Sequence, residues 1–313
     1  MKFRRVPGTD LELSAIGMGC WTISGKYWGT TDDAVSKRTV RAALDAGINW
    51  FDTAPLYGDG HADRLLAEAL GDDLHRVILA TKVGVKTGAD GHAHSLLTPE
   101  HIVADCEASL RRLREPLDLL QVHWPCESGT PLDDSIAALE GLRERGWIRH
   151  WGLCNYDPES VRHAAGAGMS TLQTPYSMLR REFEGPLAPA AAGVAVLAYE
   201  TLGRGLLSGK FTRLPTFPDT DQRQRDDRFK VGPYRHAAAL TRDLGRVAAK
   251  LGVTTAAISA GWAASRPGIT AAIVGARTPE QITETAQAAS LIGQKKLWRI
   301  VEQIAEIHGP PPR

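Results

Sequence analysis

The stretch NWFDTAPLYG, residues 49–58, contains one of the short apolar runs that decide the fold of this chain. The run ends on a carboxylate, Asp52, and a phenol, Tyr57, follows five residues later in a loop with a proline and a glycine. Whether these two groups form a site depends on the partners that other parts of the chain supply. The arrangement of the other apolar runs therefore comes first.

Apolar runs alternate with amphipathic helical patterns along the whole chain. The candidate strands are residues 14–20, 49–52, 77–81, 117–123, 148–154, 171–174, 194–199 and 269–274. Most of them are apolar throughout, as strands covered on both faces are. Repeated strand-then-helix units indicate a parallel sheet, and eight units in 313 residues predict a closed (β/α)8 TIM barrel of the α/β class. An open doubly wound sheet is the alternative.

Three segments fall outside this repeat. Residues 2–16 predict an N-terminal hairpin that turns at Pro7 and Gly8, and the chain after Gly293 predicts an extra C-terminal helix that ends near Gly309. Residues 211–235 are charged and proline-bearing, which is typical of either a functional lid or a disordered loop. No shift in composition marks a linker, so we expect one domain over residues 1–313.

The bulk composition excludes several functional classes. The net charge of +1 offers no electrostatic argument for binding nucleic acid or a membrane surface. No run of about 18 apolar residues predicts a transmembrane helix, and the N-terminus lacks the apolar core of a signal peptide. The cysteines are scattered and form no C-x-x-C motif, which favours reduced thiols in a cytoplasmic protein: Cys20, Cys106, Cys126 and Cys154.

We expect no metal site, because His92 and His94 in GADGHAH, residues 88–94, have no third ligand nearby and indicate a solvated turn. The sequence does not specify the oligomeric state.

Reactive side chains lie at the ends of three consecutive predicted strands. Asp52 and Tyr57 follow the second strand, Lys82 the third, and His123 ends the fourth. Each alone has an ordinary structural explanation, such as a helix cap, a packed aromatic or a solvated charge. Together they would meet at the C-terminal rim of a barrel, where active sites of this fold lie.

These four groups complement one another chemically. An ammonium beside a phenol favours the phenolate and lowers its pKa, and a buried ammonium needs a carboxylate. An imidazole beside the phenol can donate to the same oxygen atom. The combination suits carbonyl reduction, in which negative charge develops on oxygen.

At this point the chain resembles the aldo-keto reductase superfamily over nearly its whole length. The matching segments occur in the order of that family: GMGCW (17–21), INWFDTAPLYG (48–58), ATKVG (80–84), DLLQVHWP (118–125), IRHWGLCN (148–155), LQTPYSML (172–179), LAYETLGRGLLSGK (197–210) and IVGARTPEQI (273–282). The resemblance implies a (β/α)8 barrel that binds NADPH without a Rossmann fold. Consistently, the chain lacks a proper G-x-G-x-x-G motif after a strand.

The resemblance also implies a role for each matching residue. Tyr57 would be the general acid, Lys82 would lower its pKa, Asp52 would pair with Lys82, and His123 would orient the carbonyl. Asn155 and Gln173 would bind the cofactor carboxamide, and Tyr199 would stack on the nicotinamide. The full set of implied cofactor-binding residues is Gly19, Trp21, Cys154, Asn155, Gln173, Tyr199, Leu202, Gly203, Gly205, Gly275, Arg277, Gln281 and Glu284.

The chain departs from the family pattern at several of these positions. Cys154 and Glu200 stand where the family often has serine. Arg277 matches a partner of the 2′-phosphate, which favours NADPH over NADH, although a solvated arginine is the alternative. Gln281 stands where some relatives carry a second basic residue.

Variable loops are expected to form the substrate pocket, with Tyr27, Trp28 and Trp124 as candidates beside Trp21. The predicted function is NADPH-dependent reduction of an aldehyde or ketone, such as a small carbonyl, a sugar or a sugar-derived ketone. One alternative is an NADP-dependent aldose or polyol dehydrogenase that works in the oxidative direction. The other is a regulatory subunit similar to the β subunits of potassium channels.

Overall fold

Twelve strands are formed in the computed structural model, which describes residues 1–88 and 90–311. They are β1 (Phe3–Arg5), β2 (Glu12–Ser14), β3 (Ile16–Gly19), β4 (Trp50–Asp52), β5 (Ile78–Val83), β6 (Val85–Thr87), β7 (Ala93–Ser95), β8 (Leu117–Val122), β9 (Ile148–Cys154), β10 (Thr171–Pro175), β11 (Ala195–Tyr199) and β12 (Ala271–Gly275).

A closed parallel barrel is built from eight of these strands. Around the barrel the order is β3, β4, β5, β8, β9, β10, β11 and β12, and β12 pairs with β3 to close the ring. Each barrel strand falls on one of the eight predicted segments. The predicted (β/α)8 TIM barrel is therefore confirmed, and the doubly wound alternative is wrong.

Helices surround the barrel and connect its strands. They are α1 (Asp33–Asp45), α2 (His61–Leu70), α3 (Pro99–Leu113), α4 (Leu132–Glu144), α5 (Pro158–Gly166), α6 (Leu187–Ala190), α7 (Val231–Leu251), α8 (Thr255–Ser265), α9 (Pro279–Ala286), α10 (Ala288–Leu291) and α11 (Lys295–His308). Side chains cap several N-termini; for example, Asp32 accepts from the backbone of Val35, and Thr278 accepts from Gln281. No helix among the described residues is long and apolar enough to cross a membrane.

The N-terminal hairpin closes the bottom of the barrel. Strands β1 and β2 pair in antiparallel fashion, as predicted, and Leu11 and Leu13 pack with Trp50 in the apolar cluster inside the barrel. The Trp50 indole donates to the Ser14 carbonyl at 2.9 Å. A side chain at Gly17 would lie 2.1 Å from the Trp50 ring, so this close approach requires glycine. The lower end of the barrel is thus sealed, and the upper end is left for the site.

Two segments at the upper rim differ from the prediction. Strands β6 and β7 form a short antiparallel hairpin that contains His94, where a solvated turn was expected. Ala89, within that segment, lies outside the described residues, as do residues 312–313 at the end of the predicted domain. The segment 211–235 ends earlier than expected, because helix α7 already begins at Val231.

Residues 217–229, which we call the strap, lie across the mouth of the barrel. The strap contains two 3-10 helices, Gln222–Arg225 and Asp227–Phe229. Its Asp221 forms an isolated β-bridge with Trp28, on the loop after β3. The buried Arg223 guanidinium lies 4.7 Å from the Trp28 ring and 4.3 Å from the Phe217 ring. These contacts favour the lid interpretation over a disordered loop.

Candidate active site

The predicted carboxylate, phenol and ammonium meet in one buried cluster at the upper rim. Lys82 Nζ lies 2.8 Å and 2.7 Å from the two carboxylate oxygens of Asp52. It also lies 3.3 Å from the Tyr57 hydroxyl. The Lys82 side chain is completely buried, and that of Asp52 is 4% exposed. The ammonium is therefore held between a counter-ion and the phenol.

Strand register explains why these residues meet. Asp52 on β4 pairs with Ala80 on β5, and Lys82 lies two residues further along β5, on the same face of the sheet. His123 follows β8, and its backbone nitrogen donates to the Val83 carbonyl at 3.1 Å. Its imidazole packs edge-on against the Tyr57 ring, with centroids 5.9 Å apart. All four predicted residues thus lie at the ends of β4, β5 and β8.

Burial dominates the electrostatics of Tyr57. It raises the pKa of the phenol well above its ordinary value, while the nearby Lys82 ammonium acts in the opposite direction. The predicted lowering by Lys82 is present, but burial outweighs it, so the net shift of the Tyr57 pKa is upward. The phenol is therefore protonated at neutral pH and able to donate.

The other two groups are held in defined charge states. Burial acts to lower the pKa of Lys82, but the Asp52 carboxylate and the Tyr57 hydroxyl outweigh it and hold that pKa above its ordinary value. Burial and then the Lys82 charge lower the pKa of His123 well below its ordinary value. Lys82 is therefore cationic and His123 neutral near pH 7.

A long cavity of about 440 Å³ opens above this cluster and runs over the rim towards helix α9. Most of the predicted site residues line it: Gly19, Trp21, Trp28, Asp52, Tyr57, His123, Trp124, Asn155, Gln173, Tyr199, Leu202, Gly205, Gly275, Arg277, Gln281 and Glu284. Residues from the ends of seven barrel strands and from the loops after them therefore converge on a single cleft.

We call Asp52, Tyr57, Lys82 and His123 the tetrad. The part of the cleft beside the tetrad contains the three residues expected to face the nicotinamide. The Gln173 amide nitrogen donates to Asp52 at 2.8 Å, and the Asn155 amide nitrogen donates to the His123 carbonyl at 3.0 Å. The Tyr199 hydroxyl donates to Asn155 Oδ1 at 2.8 Å. These bonds connect the predicted cofactor residues directly to the tetrad.

The opposite end of the cleft is formed by β12 and the start of α9. The Arg277 backbone nitrogen donates to Gln281 Oε1 at 2.9 Å, and its guanidinium donates to the Thr30 carbonyl. A second cavity of about 380 Å³ adjoins here and shares Arg277, Gln281 and Lys210 with the first. Polar and basic groups therefore surround this end, together with the carboxylates of Asp32 and Glu284.

Four predicted residues do not line the cleft. Lys82 lies beneath its floor and contacts Asp52 and Tyr57 from below. Cys154 and Gly203 are buried behind the wall. The Tyr27 backbone carbonyl accepts from Gln222 of the strap, which gives this residue a role in closing the mouth rather than in lining it.

Several basic residues of the cleft were missed by the sequence analysis. They are Arg180, Arg204, Lys210, Arg223 and Arg228. Arg204 lies between two glycines already assigned to the cofactor, and Lys210 ends the same matching segment. Their positions in the sequence therefore indicated that both residues could line the cleft. Arg223 and Arg228 lie in the strap, where nothing in the pattern distinguished cleft residues from solvated ones.

Glu200, which departs from the family pattern, is the centre of an ion-pair cluster. Its carboxylate lies 2.8 Å from Arg204, 2.6 Å from Arg228 and 3.5 Å from Arg180. Burial acts to raise the pKa of Glu200, but Arg228 and Arg204 lower it to about 2. The cluster ties the loop after β11 to the strap, and Asp226 completes it by pairing with Arg204 and Arg228.

Aromatic rings form the wall around the reactive groups. Trp21 packs edge-on against Trp28 at 5.2 Å and lies nearly parallel to the Tyr57 ring at 6.1 Å. Trp124 lies 5.4 Å from His123. These tryptophans therefore form an aromatic wall beside the rings of Tyr57 and His123.

The closed barrel and the Asp52, Tyr57 and Lys82 cluster at its rim define an oxidoreductase of the aldo-keto reductase class. The family model of the Aldo/keto reductase family matches residues 15–306, and the chain belongs to this family.

Similarity to individual proteins extends over the same range. The chain is 35% identical to the aldo-keto reductase YhdN of Bacillus subtilis, over 90% of this chain and 87% of that protein. It is 27% identical to a probable voltage-gated potassium channel subunit beta of Arabidopsis thaliana, over 93% and 92% of the two chains. The solved structure of the glycerol dehydrogenase AKR11B4 from Gluconobacter oxydans is 34% identical, covers 99% of this chain and 97% of its own, and has a TM-score of 0.89.

Proposed function

We propose that this protein is an NADPH-dependent aldo-keto reductase that reduces an aldehyde or ketone to an alcohol, with Tyr57 as the general acid. The observation that carries the proposal is the position of Lys82 Nζ, 3.3 Å from the Tyr57 hydroxyl and paired with Asp52. A protonated phenol at the floor of an aromatic cleft is placed to donate a proton to a carbonyl oxygen. We further propose one domain and a cytoplasmic location.

The cleft fits a nicotinamide dinucleotide, the type of cofactor that aldo-keto reductases use. It is long and continuous, and its middle contains the cationic side chains of Arg223, which pairs with Asp221, and of Lys210, which forms no ion pair among the described residues. Part of Lys210 reaches solvent, yet burial and the positive charges of Arg223 and Arg277 lower its pKa to about 8. A pyrophosphate placed among these groups would relieve the repulsion, so the cluster supports binding of a negatively charged cofactor.

The preference for NADPH rests on Arg277. Its guanidinium lies at the α9 end of the cleft, where its partner is an uncharged backbone carbonyl. An arginine can bind a 2′-phosphate through two parallel hydrogen bonds, which are stronger than a bond to a neutral acceptor. Gln281 and Glu284 lie on the same side and would contact the adenosine.

Each residue of the site has a separate role in the proposed reaction. The cofactor, when bound, supplies the hydride to the carbonyl carbon. Tyr57 donates its proton to the carbonyl oxygen as negative charge develops there, and the Lys82 ammonium stabilises the phenolate that remains. Asp52 keeps Lys82 charged. Water is excluded from the reacting atoms by Trp21 and Trp124.

His123 orients the substrate. Because burial and Lys82 hold its pKa far below neutrality, the imidazole carries no charge at pH 7. A neutral imidazole has one N–H, which can donate to the carbonyl oxygen beside the Tyr57 hydroxyl. The two donors together fix the carbonyl oxygen above the floor of the cleft.

The substrate is proposed to be a small carbonyl compound, a sugar or a sugar-derived ketone. The apolar wall of tryptophans suits the carbon face of such molecules, and the arginines near Glu200 add polar groups at the rim. The oxidative alternative, an NADP-dependent polyol dehydrogenase, uses the same residues with Tyr57 as the base. Similarity to a glycerol dehydrogenase favours keeping it as the second candidate.

The test is consumption of NADPH and of NADH with a panel of aldehydes, ketoses and keto-sugars, alongside NADP-dependent oxidation of the matching alcohols. Fast reduction with NADPH supports the proposal, and faster oxidation of a polyol supports the second candidate. Tight NADPH binding without turnover of any compound would contradict both and favour a regulatory subunit, in line with the potassium-channel relative.

A further inference from the structure

The loop that carries Tyr57 lies on a buried polar network that extends beyond the tetrad. Thr53, the residue after Asp52, is completely buried, and its hydroxyl donates to Asp63 Oδ1 at 2.7 Å. The second carboxylate oxygen of Asp63 accepts from Arg112 Nε at 2.8 Å. Asp63 is completely buried, and the Arg112 side chain is 18% exposed. The end of β4, helix α2 and helix α3 are thereby linked beneath the rim.

This network reaches the tetrad through one backbone atom. The Thr53 carbonyl oxygen accepts from Lys82 Nζ at 3.0 Å and so supplies a further acceptor besides the Asp52 carboxylate. The Thr53 backbone nitrogen donates to the Ala80 carbonyl at 2.9 Å. Rotation of the Thr53 peptide would remove an acceptor from the ammonium and change the direction in which it faces Tyr57.

Arg112 also packs against the far end of the Tyr57 loop. Gly60, at the start of α2, has a left-handed backbone with φ of 79°. A Cβ atom at this position would lie 2.6 Å from Arg112 Nε, so the guanidinium lies directly against the backbone there. The Arg112 guanidinium donates in addition to Ser109 Oγ at 2.9 Å. The loop between Thr53 and Gly60 is thus held at both ends by one ion pair.

The ion pair is not an obvious source of stability. Burial raises the pKa of Asp63, although the Arg112 charge and the Thr53 hydroxyl both act to lower it. A buried ion pair is often no more stable than apolar side chains of the same size. A role in positioning the site would explain why the Asp63–Arg112 ion pair is present, whereas a contribution to stability does not explain it.

We propose that Thr53, Asp63 and Arg112 are positioning residues for carbonyl reduction. Asp63, held by Arg112, fixes the Thr53 hydroxyl, and this orients the Thr53 carbonyl so that the Lys82 ammonium faces the Tyr57 hydroxyl. The inference rests on the proposed function, because it assigns these residues to the step in which Tyr57 donates its proton. None of the three touches the substrate.

The experiment compares Thr53→Val, which removes the hydroxyl and keeps the shape, with Thr53→Ser, which keeps the hydroxyl. Thr39→Val is the matched control, because Thr39 is also completely buried and donates to a backbone carbonyl in α1, away from the rim. For Thr53→Val we expect kcat to fall about tenfold or more, with KM and the Kd for NADPH unchanged. Thr53→Ser and Thr39→Val should retain the wild-type kcat.

Single-turnover kinetics with saturating NADPH separate positioning from a general loss of structure. A less well-placed ammonium stabilises the Tyr57 phenolate less, so the single-turnover rate constant should fall in Thr53→Val, whereas partial unfolding would lower the amplitude and leave the rate constant unchanged. If Thr53→Val does not fold, as judged by circular dichroism, Asp63→Asn gives the same comparison through the partner residue, with a smaller loss in the same direction.

The outcomes distinguish the two levels of inference. Wild-type kcat and an unchanged single-turnover rate constant in Thr53→Val would overturn the positioning role, and so would an equal loss in Thr53→Ser. Absence of carbonyl reduction in both the wild type and Thr39→Val would overturn the proposed function, and the role of Thr53 with it.

Discussion

Gln173 donates its side-chain amide nitrogen to Asp52 Oδ1 at 2.8 Å, across the inside of the barrel from β10 to β4. The same carboxylate oxygen lies 2.8 Å from Lys82 Nζ. The Asp52 carboxylate is therefore paired with the Lys82 ammonium and accepts a hydrogen bond from the Gln173 amide. Both of these partners are buried. A hydrogen bond to a buried charge is worth more than one between neutral groups, so Gln173 should matter for stability as well as for the site.

Gln173→Leu is expected to lower the free energy of unfolding by about 1.5–3 kcal/mol, because a charge-assisted hydrogen bond is lost. Gln121→Leu is the matched control. Gln121 is also completely buried inside the barrel, but its amide nitrogen has no partner among the residues that the structure describes, and its oxygen accepts one neutral hydrogen bond of 3.3 Å from Thr171. Removing an unsatisfied amide and one long neutral bond should change stability by less than about 1 kcal/mol. Urea denaturation without cofactor measures both, and equal losses would contradict the assigned role of Gln173.

Tyr57→Phe is expected to lower kcat for carbonyl reduction by about 100-fold or more, since the general acid is removed. The Kd for NADPH should stay near the wild-type value, because the ring remains and only the hydroxyl is lost. Single-turnover kinetics and fluorescence titration of NADPH measure the two quantities separately. Tyr234→Phe is the control, since its buried ring is on α7 and its hydroxyl contacts a backbone carbonyl. A wild-type rate in Tyr57→Phe would refute the proton-donor role.

The barrel could be predicted from the sequence because its strands are continuous apolar runs that alternate with amphipathic helices. The hairpin of β6 and β7 could not, because its strands are three residues each and carry polar side chains. For residues 211–235, the charged composition is typical of both a lid and a disordered loop. The three rings of this segment, Phe211, Phe217 and Phe229, pack edge-on together, and phenylalanines in a charged segment were the available signal for order.

The tetrad could be predicted because each of its residues lies at a strand end, and strand ends of a parallel barrel meet at one rim. The Glu200 cluster could not be predicted, because Arg228 lies 28 residues away on a loop of unknown path. The direction in which the Tyr57 pKa shifts could not be predicted from the sequence either. It depends on how completely the phenol is buried, and only the packing around it determines that.

Low pH should lower the free energy of unfolding because the Glu200 carboxylate becomes protonated. Its pKa falls from an ordinary 4.5 to about 2, with burial opposing the shift and Arg228 and Arg204 causing it. A group with a lowered folded pKa adds stability above its unfolded pKa, and the contribution disappears as the pH falls through the folded value. The shift corresponds to about 3 kcal/mol at neutral pH.

Glu200→Gln should therefore be less stable than the wild type at pH 6, and the difference should shrink steadily between about pH 4.5 and pH 2. Urea unfolding of both proteins across this range measures it. The control is Glu159→Gln, at the exposed start of α5, which should change the free energy of unfolding by less than about 0.5 kcal/mol at pH 6. A difference that stays constant with pH would show that the charge of Glu200 is not responsible.

Arg277 should decide the choice between the two nicotinamide cofactors. Arg277→Gln removes the positive charge beside the adenosine end of the cleft and keeps a polar side chain of similar length. The Kd for NADPH should rise by about tenfold or more, because the 2′-phosphate loses a charge-assisted contact of about 1.5–3 kcal/mol. The Kd for NADH, which lacks that phosphate, should change by less than about threefold, because Arg277 would lose only a neutral contact of about 0.5 kcal/mol with it.

Fluorescence titration with each cofactor gives the four dissociation constants, and raising the salt concentration should weaken NADPH binding more in the wild type than in Arg277→Gln. Arg246→Gln is the matched control: its side chain is 72% exposed on α7 and pairs with Asp243. A parallel loss for NADPH and NADH in Arg277→Gln would mean that Arg277 holds the loop through the Thr30 carbonyl and does not select the phosphate.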